Sequence, residues 1–135
     1  NRIELLRLLE RALFKPPDHS AQFNDRFEHA INLFTAIVGQ IRHTCTQKEV
    51  RMSIILMPGR SFVEHPYSVS AQFQEYLRKK IVENSEDMKV GVIDLAKYLR
   101  ERYQRDPGKW YYPNEGHLTA EGHRVVYDIL STVLQ

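Results

Sequence analysis

The sequence lacks the features of several large protein classes. Its 135 residues include one cysteine, Cys45, so no disulfide can form within the chain. The cysteine content therefore does not indicate a cellular compartment. No apolar run approaches the roughly 18 residues that a membrane span needs. The net charge is only +2, with both signs interspersed, whereas a nucleic-acid surface concentrates Lys and Arg on one stripe. We therefore expect no disulfide framework, no membrane span and no nucleic-acid partner.

The composition allows one packed domain, because 42% of the residues are hydrophobic. Apolar residues at helical spacing predict helices over 2–14, 20–43 and 69–82. Ser20, Asp94 and Thr119 are of residue types that cap helices, so we expect Ser20 to begin the second helix, Asp94 a short helix and Thr119 the last one. The 20–43 helix carries the clearest apolar stripe and should face the core: Phe23, Phe27, Ala30, Ile31, Phe34, Ile37, Val38 and Ile41.

Two segments, 50–57 and 88–95, have the apolar character of buried strands. A helix separates them, so they should form a βαβ unit with parallel strands. Two strands are few for the number of apolar helix faces in the chain. Either the short stretches 61–64 and 110–112 join the sheet, or further strands precede Asn1; we favour the second interpretation.

The most informative stretch runs from Trp110 to Arg124 and contains an aromatic run, a proline, a polar turn and a helix start. Within the turn, Glu115 lies two residues before His117. A carboxylate beside a histidine in a loop can hold the imidazole in one tautomer, which is the acid–base half of a nucleophilic triad. The nucleophile itself has no obvious position near this turn.

This stretch resembles the last conserved block of the SGNH/GDSL-type hydrolases, which reads as an aromatic residue, Pro, a variable position, Asp, Gly, His and Leu, followed by a later Gly-His pair. The strand ending at Met57-Pro58 and the Val-Ile-Asp-Leu strand at 92–95 are similar to two strands of the same family. The resemblance covers about residues 50–134. It implies a three-layer α/β/α sandwich with a parallel, flavodoxin-like sheet, and hydrolysis or transfer of small-molecule or carbohydrate acyl esters without a cofactor.

The resemblance also assigns roles to residues of the turn. His117 would be the general base that takes the proton of a serine hydroxyl. Glu115 stands where the family usually has Asp, and Asn114 is a possible substitute partner through its amide oxygen. His123 is expected to support the loop or to face solvent. A metal pair of His117 and His123 lacks further ligands at usable spacing.

The family's Gly-Asp-Ser nucleophile block and its Gly-x-Asn-Asp block do not occur in this sequence. We therefore expect the chain to be the C-terminal portion of a longer hydrolase and to be inactive alone. A low-ranking nucleophile is Ser61, since Gly59-Arg60-Ser61 is half of a Gly-x-Ser-x-Gly elbow. Val63 replaces the second glycine, and the following helix is expected to begin too late for a sharp strand–turn–helix.

Two other interpretations stay open. The chain could be a degenerate relative of the same fold that binds a ligand or partner without catalysis, which the change from Asp to Glu at position 115 favours. It could instead be a helical interaction module in which Phe23, Phe27 and Phe34 pack on another chain.

Overall fold

The computed structural model describes residue 17 and residues 19–134. In chain order its elements are α1 (Ser20–Gln47), β1 (Ser53–Ile55), α2 (Arg60–Glu64), α3 (Val69–Asp87), β2 (Gly91–Ile93), α4 (Leu95–Arg105) and α5 (Ala120–Val133). The helix predicted over 2–14 lies outside the described residues.

The expectation of a three-layer α/β/α sandwich is wrong for this structure. Helices account for 66% of it, and its sheet has only two strands. The strands are parallel, with Ser53 opposite Gly91 and Ile55 opposite Ile93, so the βαβ unit is confirmed. Because a strand extends only where a neighbour pairs with it, each predicted eight-residue strand is reduced to three residues.

The two short stretches suggested as extra strands do not join the sheet. Residues 61–64 are helical and belong to α2. In the stretch 110–112, Tyr111 makes an isolated antiparallel bridge to Leu118 instead of pairing with β1 or β2. That interpretation is therefore wrong, and the sheet of the described residues consists of β1 and β2.

The core that positions the C-terminal hairpin lies between α2, α4 and α5. Its buried side chains are Phe62, Val63, Leu95, Ala96, Leu99, Trp110, Tyr111, Val125, Val126 and Ile129. A separate aromatic cluster joins α1 to α3, with the Phe27 and Phe73 ring centroids 4.5 Å apart and those of Phe23 and Phe73 5.3 Å apart. The packing of Phe23 and Phe27 within this chain argues against their role as contacts for another chain.

The apolar face that the sequence predicts for α1 is wider than the face that the structure buries. Phe23, Ile31 and Val38 are buried as predicted, whereas Ile37 and Ile41 are about half exposed, so the prediction that they face the core is wrong. Leu33 is exposed on the same side. We call Leu33, Ile37 and Ile41 the α1 apolar stripe.

Two of the three predicted helix caps are confirmed. The Asp94 carboxylate accepts a hydrogen bond from the backbone N–H of Lys97, and the Thr119 hydroxyl accepts one from Gly122. The prediction for Ser20 is wrong by one position, since the cap of α1 is His19 and its side chain makes no capping bond.

Candidate functional site

A short hairpin carries the residues that the sequence singles out. Tyr111 and Leu118 form its bridge, the Tyr112 N–H donates to the His117 carbonyl at 3.0 Å, and the Glu115 N–H donates to the Tyr112 carbonyl at 3.3 Å. We call residues 111–118 the His117 hairpin. These hydrogen bonds pair backbone groups within the hairpin, so the turn can present polar side chains without pairing with the sheet.

A buried tyrosine anchors this hairpin to the end of β1. The Tyr111 hydroxyl donates a 3.0 Å hydrogen bond to the carbonyl of Pro58, which lies three residues after β1. Burial, with a smaller contribution from the charge of Glu64, raises the pKa of Tyr111 to about 12. The hydroxyl therefore stays protonated and able to donate at neutral pH. The His117 hairpin is thus held near the carboxyl ends of parallel strands, where open α/β sheets place their ligands.

The start of α5 fixes the other side of the hairpin. The Thr119 N–H donates to the Trp110 carbonyl at 2.8 Å, and the Thr119 hydroxyl donates to the Lys109 carbonyl at 2.6 Å. Gly122 lies directly against the Trp110 carbonyl, and a Cβ there would collide with it. The backbone neighbour of Gly122 is thus Trp110, in the segment that leads into the hairpin.

The side chains of the turn point to solvent. Asn114, Glu115 and His117 are all exposed, and within the described residues no hydrogen bond or ion pair joins the Glu115 carboxylate to the His117 imidazole. Asn114 has a backbone φ of 64°, the left-handed region that Asn tolerates better than most residues. The turn geometry alone therefore accounts for an Asn at position 114. The roles of Glu115 and Asn114 as partners of His117 stay predictions.

Ser61 lies in a different environment from the hairpin. Its hydroxyl is 2.8 Å from the Ser70 hydroxyl and accepts a 2.8 Å hydrogen bond from the Gln74 amide, whose oxygen accepts from the Gly59 N–H. Contrary to the expectation of a late helix, α2 begins at Arg60, immediately after its cap Gly59. None of these partners is a base, so the described contacts leave the Ser61 hydroxyl without an activating group.

Sequence reasoning missed a cluster of charges at the end of β2. Arg78 on α3 reaches Asp94 at 2.6 Å and Glu75 at 2.7 Å, while Arg100 on α4 lies 3.8 Å from Glu75. Burial by itself would raise the pKa of Glu75, but the hydrogen bond and charge of Arg78, aided by the other cations, outweigh it and lower that pKa. The i, i+3 spacing of Glu75 and Arg78 on a helix could have predicted that pair from the sequence, whereas the sequence has no pattern that predicts contacts between elements.

Arg100 also fixes α2. Its Nε donates to the Phe62 carbonyl at 3.0 Å, and its guanidinium carbon lies 3.4 Å from the centroid of the Phe62 ring. A cation over an aromatic face is attracted by the ring quadrupole. Arg100 therefore ties α4, α3 and α2 together around the end of β1.

Two other reactive side chains that the sequence contains are those of His123 and Cys45. His123 is exposed on α5, in agreement with the expectation that it faces solvent. Cys45 is a free, half-buried thiol near the end of α1. In residues 17 and 19–134, no three His, Cys, Asp or Glu side chains converge as metal ligands would. Over the same residues, none of the helices combines the length and apolar character required to cross a bilayer.

Comparisons with protein-family models, with curated proteins and with solved structures found no match to this chain. The resemblance to the SGNH/GDSL-type hydrolases therefore depends on the hairpin residues and on the order of the elements around them.

Proposed function

We propose that this chain supplies the acid–base histidine of an SGNH-type serine ester hydrolase or acyltransferase. The observation that supports the proposal best is the buried hydrogen bond from Tyr111 to the Pro58 carbonyl, because it fixes the His117 hairpin to the carboxyl end of β1. The order of strand, two helices, strand, helix, His117 hairpin and final helix is compatible with the block resemblance in the sequence.

In the proposed reaction, His117 takes the proton of a serine hydroxyl while the serine oxygen attacks the ester carbonyl. The tetrahedral intermediate collapses, the bond to the alcohol oxygen breaks, and His117 returns the proton to that oxygen. Water then attacks the acyl-serine in hydrolysis, or an acceptor hydroxyl does so in transfer, with His117 again moving the proton. Glu115 would orient the imidazole once the turn side chains adopt their reactive rotamers.

The serine is not in the His117 hairpin, and this proposal does not use Ser61. A fluorophosphonate probe tests the assignment directly, because it labels only activated serines. The native polypeptide, isolated from its source, would be labelled, digested and analysed by mass spectrometry. We expect a labelled serine other than Ser61, with labelling that disappears in the His117→Ala variant.

Hydrolysis of p-nitrophenyl acetate gives the second measurement. Loss of a general base reduces the rate by roughly 10²–10⁴, so the hydrolysis rate of the His117→Ala variant should be lower than that of the wild type by that factor. His123→Ala is the matched control, since His123 is also exposed and lies six residues further on. Equal losses in both variants would contradict the role of His117, and label on Ser61 would reassign the nucleophile.

A non-catalytic binding role is the second candidate. Glu115 and His117 are exposed and their side chains make no hydrogen bond to each other among the described residues, which favours this role because a working dyad is normally hydrogen-bonded. In that case the native polypeptide would show neither fluorophosphonate labelling nor ester hydrolysis, and His117→Ala would leave its ligand or partner binding intact.

A further inference from the structure

An apolar cleft opens beside the point where the hairpin is anchored. It has a volume of about 350 Å³ and lies between the end of β1, α3 and the start of α4. Pro58, whose carbonyl holds the Tyr111 hydroxyl, is part of its wall. The volume falls within the range of small-molecule sites, roughly 300–1,000 Å³.

The walls of this cleft are mostly aliphatic. Leu77 and Ile81 line it from α3, and Ile55 and Met57 line it from the end of β1. Ile55 and Met57 are 49% and 51% exposed, so apolar surface at the cleft remains in contact with water. Covering that surface with an apolar ligand is favourable in proportion to the area removed from water.

The two polar side chains of the cleft are already committed to protein partners. The Gln74 amide group bonds to the Ser61 hydroxyl and the Gly59 N–H, which uses both its oxygen and its nitrogen. Arg78 is neutralised by Glu75 and Asp94. Among the described residues, the side chains that line the cleft therefore offer a sugar no uncommitted polar group and an ionic ligand no net charge, and their chemistry suits an uncharged alkyl chain.

We propose that this cleft binds the alkyl chain of a fatty acyl ester. The identification of the alkyl chain as an acyl group rests on the proposed function, since Pro58 both lines the cleft and accepts the hydrogen bond that anchors the His117 hairpin. The binding of an uncharged chain stands on the cleft alone. The preferred substrates would then have acyl chains longer than acetyl.

Methyl ketones test the binding without hydrolysis, because a carbon–carbon bond replaces the ester carbon–oxygen bond. Titrations of 2-hexanone, 2-octanone and 2-decanone would be followed by two-dimensional amide NMR. We expect saturable shifts at Ile55, Leu77 and Ile81, and a Kd that falls by about fourfold per added methylene until the cleft is full. N-acetylglucosamine should leave these amides unchanged.

Two variants and one control locate the site. Met57→Asp places a charge in the cleft and should weaken 2-octanone binding by at least about tenfold. Ile81→Phe fills the cleft and should weaken 2-decanone more than 2-hexanone. Val69→Asp is the control, because Val69 is on α3, is 55% exposed and is not among the residues that line the cleft.

The outcomes separate this inference from the proposed function. Absence of saturable ketone binding, equal effects of Met57→Asp and Val69→Asp, or sugar binding at the same amides would overturn the acyl cleft. Ketone binding that only dissociates a dimer would assign the cleft to a second copy of the chain and would also overturn it. His117→Ala should retain ketone binding; if hydrolysis depends on His117 while ketones do not bind, only the cleft assignment fails.

Discussion

At the residue scale, Tyr111 makes a prediction about stability at high pH. Its ordinary pKa is 10.0, and burial in the folded chain raises that pKa to about 12. Between these values the folded chain keeps the proton that the unfolded chain has lost, so the free energy of unfolding falls as pH rises. Below about pH 10 this contribution is fully present. Between pH 10 and 12, the free energy of unfolding of the wild type should fall by roughly 2 kcal/mol more than that of Tyr111→Phe.

Urea unfolding at neutral pH and at steps between pH 10 and 12 measures this difference. At neutral pH, Tyr111→Phe should be less stable by about 1–2 kcal/mol, because the buried Pro58 carbonyl loses its donor. Tyr127→Phe serves as the control, since Tyr127 is 70% exposed. If the free energy of unfolding depended on pH equally in the wild type and in Tyr111→Phe, folding would not raise the pKa of Tyr111.

At the element scale, the docking of α5 on the hairpin depends on Gly122. A methyl group at this position meets the Trp110 carbonyl, which is backbone and cannot rotate away. Overpacking of this kind costs about 1–3 kcal/mol, and the better helix propensity of Ala offsets at most about 1 kcal/mol. We expect Gly122→Ala to be net destabilising in urea unfolding, with displaced amide resonances in the His117 hairpin.

The matched substitution is Gly116→Ala. A Cβ at position 116 would meet no atom within 4 Å, and Gly116 has no positive φ, so its replacement should change stability by less than about 0.5 kcal/mol. If Gly122→Ala were equally neutral, the close approach of α5 to Trp110 would not constrain the hairpin.

The same elements show how much the sequence determines. Asp94 and Thr119 cap their helices through bonds within three residues, so local chemistry was enough to predict them. The strand positions were also readable, but their lengths were not, because ladder length depends on neighbouring strands. The hairpin itself was predicted as a turn. Its anchor joins Tyr111 to a carbonyl 53 residues away, and no local pattern carries such a contact.

At the scale of the whole molecule, the described structure exposes apolar side chains in several places, two of which concern association with other molecules. One is the α1 apolar stripe, whose side chains are 47–56% exposed, and the other is the end of β1 with Ile55 and Met57. The two-stranded sheet also leaves β1 unpaired on one edge, which is a template for association with another chain. Exposed apolar patches of this kind mark protein interaction sites or ligand-binding grooves, and the patch at the end of β1 is a wall of the proposed acyl cleft.

We therefore expect this chain to self-associate at micromolar concentrations, with the α1 apolar stripe as a main contact. Sedimentation velocity over a concentration series measures it. Replacing Leu33, Ile37 and Ile41 together by Lys should shift the population to monomer, because burying three charges in a contact is costly. Replacing Asn24, Asn32 and Gln40 by Lys adds the same charge to exposed polar positions of α1 and should leave association largely unchanged. A wild-type chain that remains monomeric throughout the series would mean that exposure of the stripe does not drive association, and equal effects of the two triple variants would assign the change to net charge instead of apolar contact.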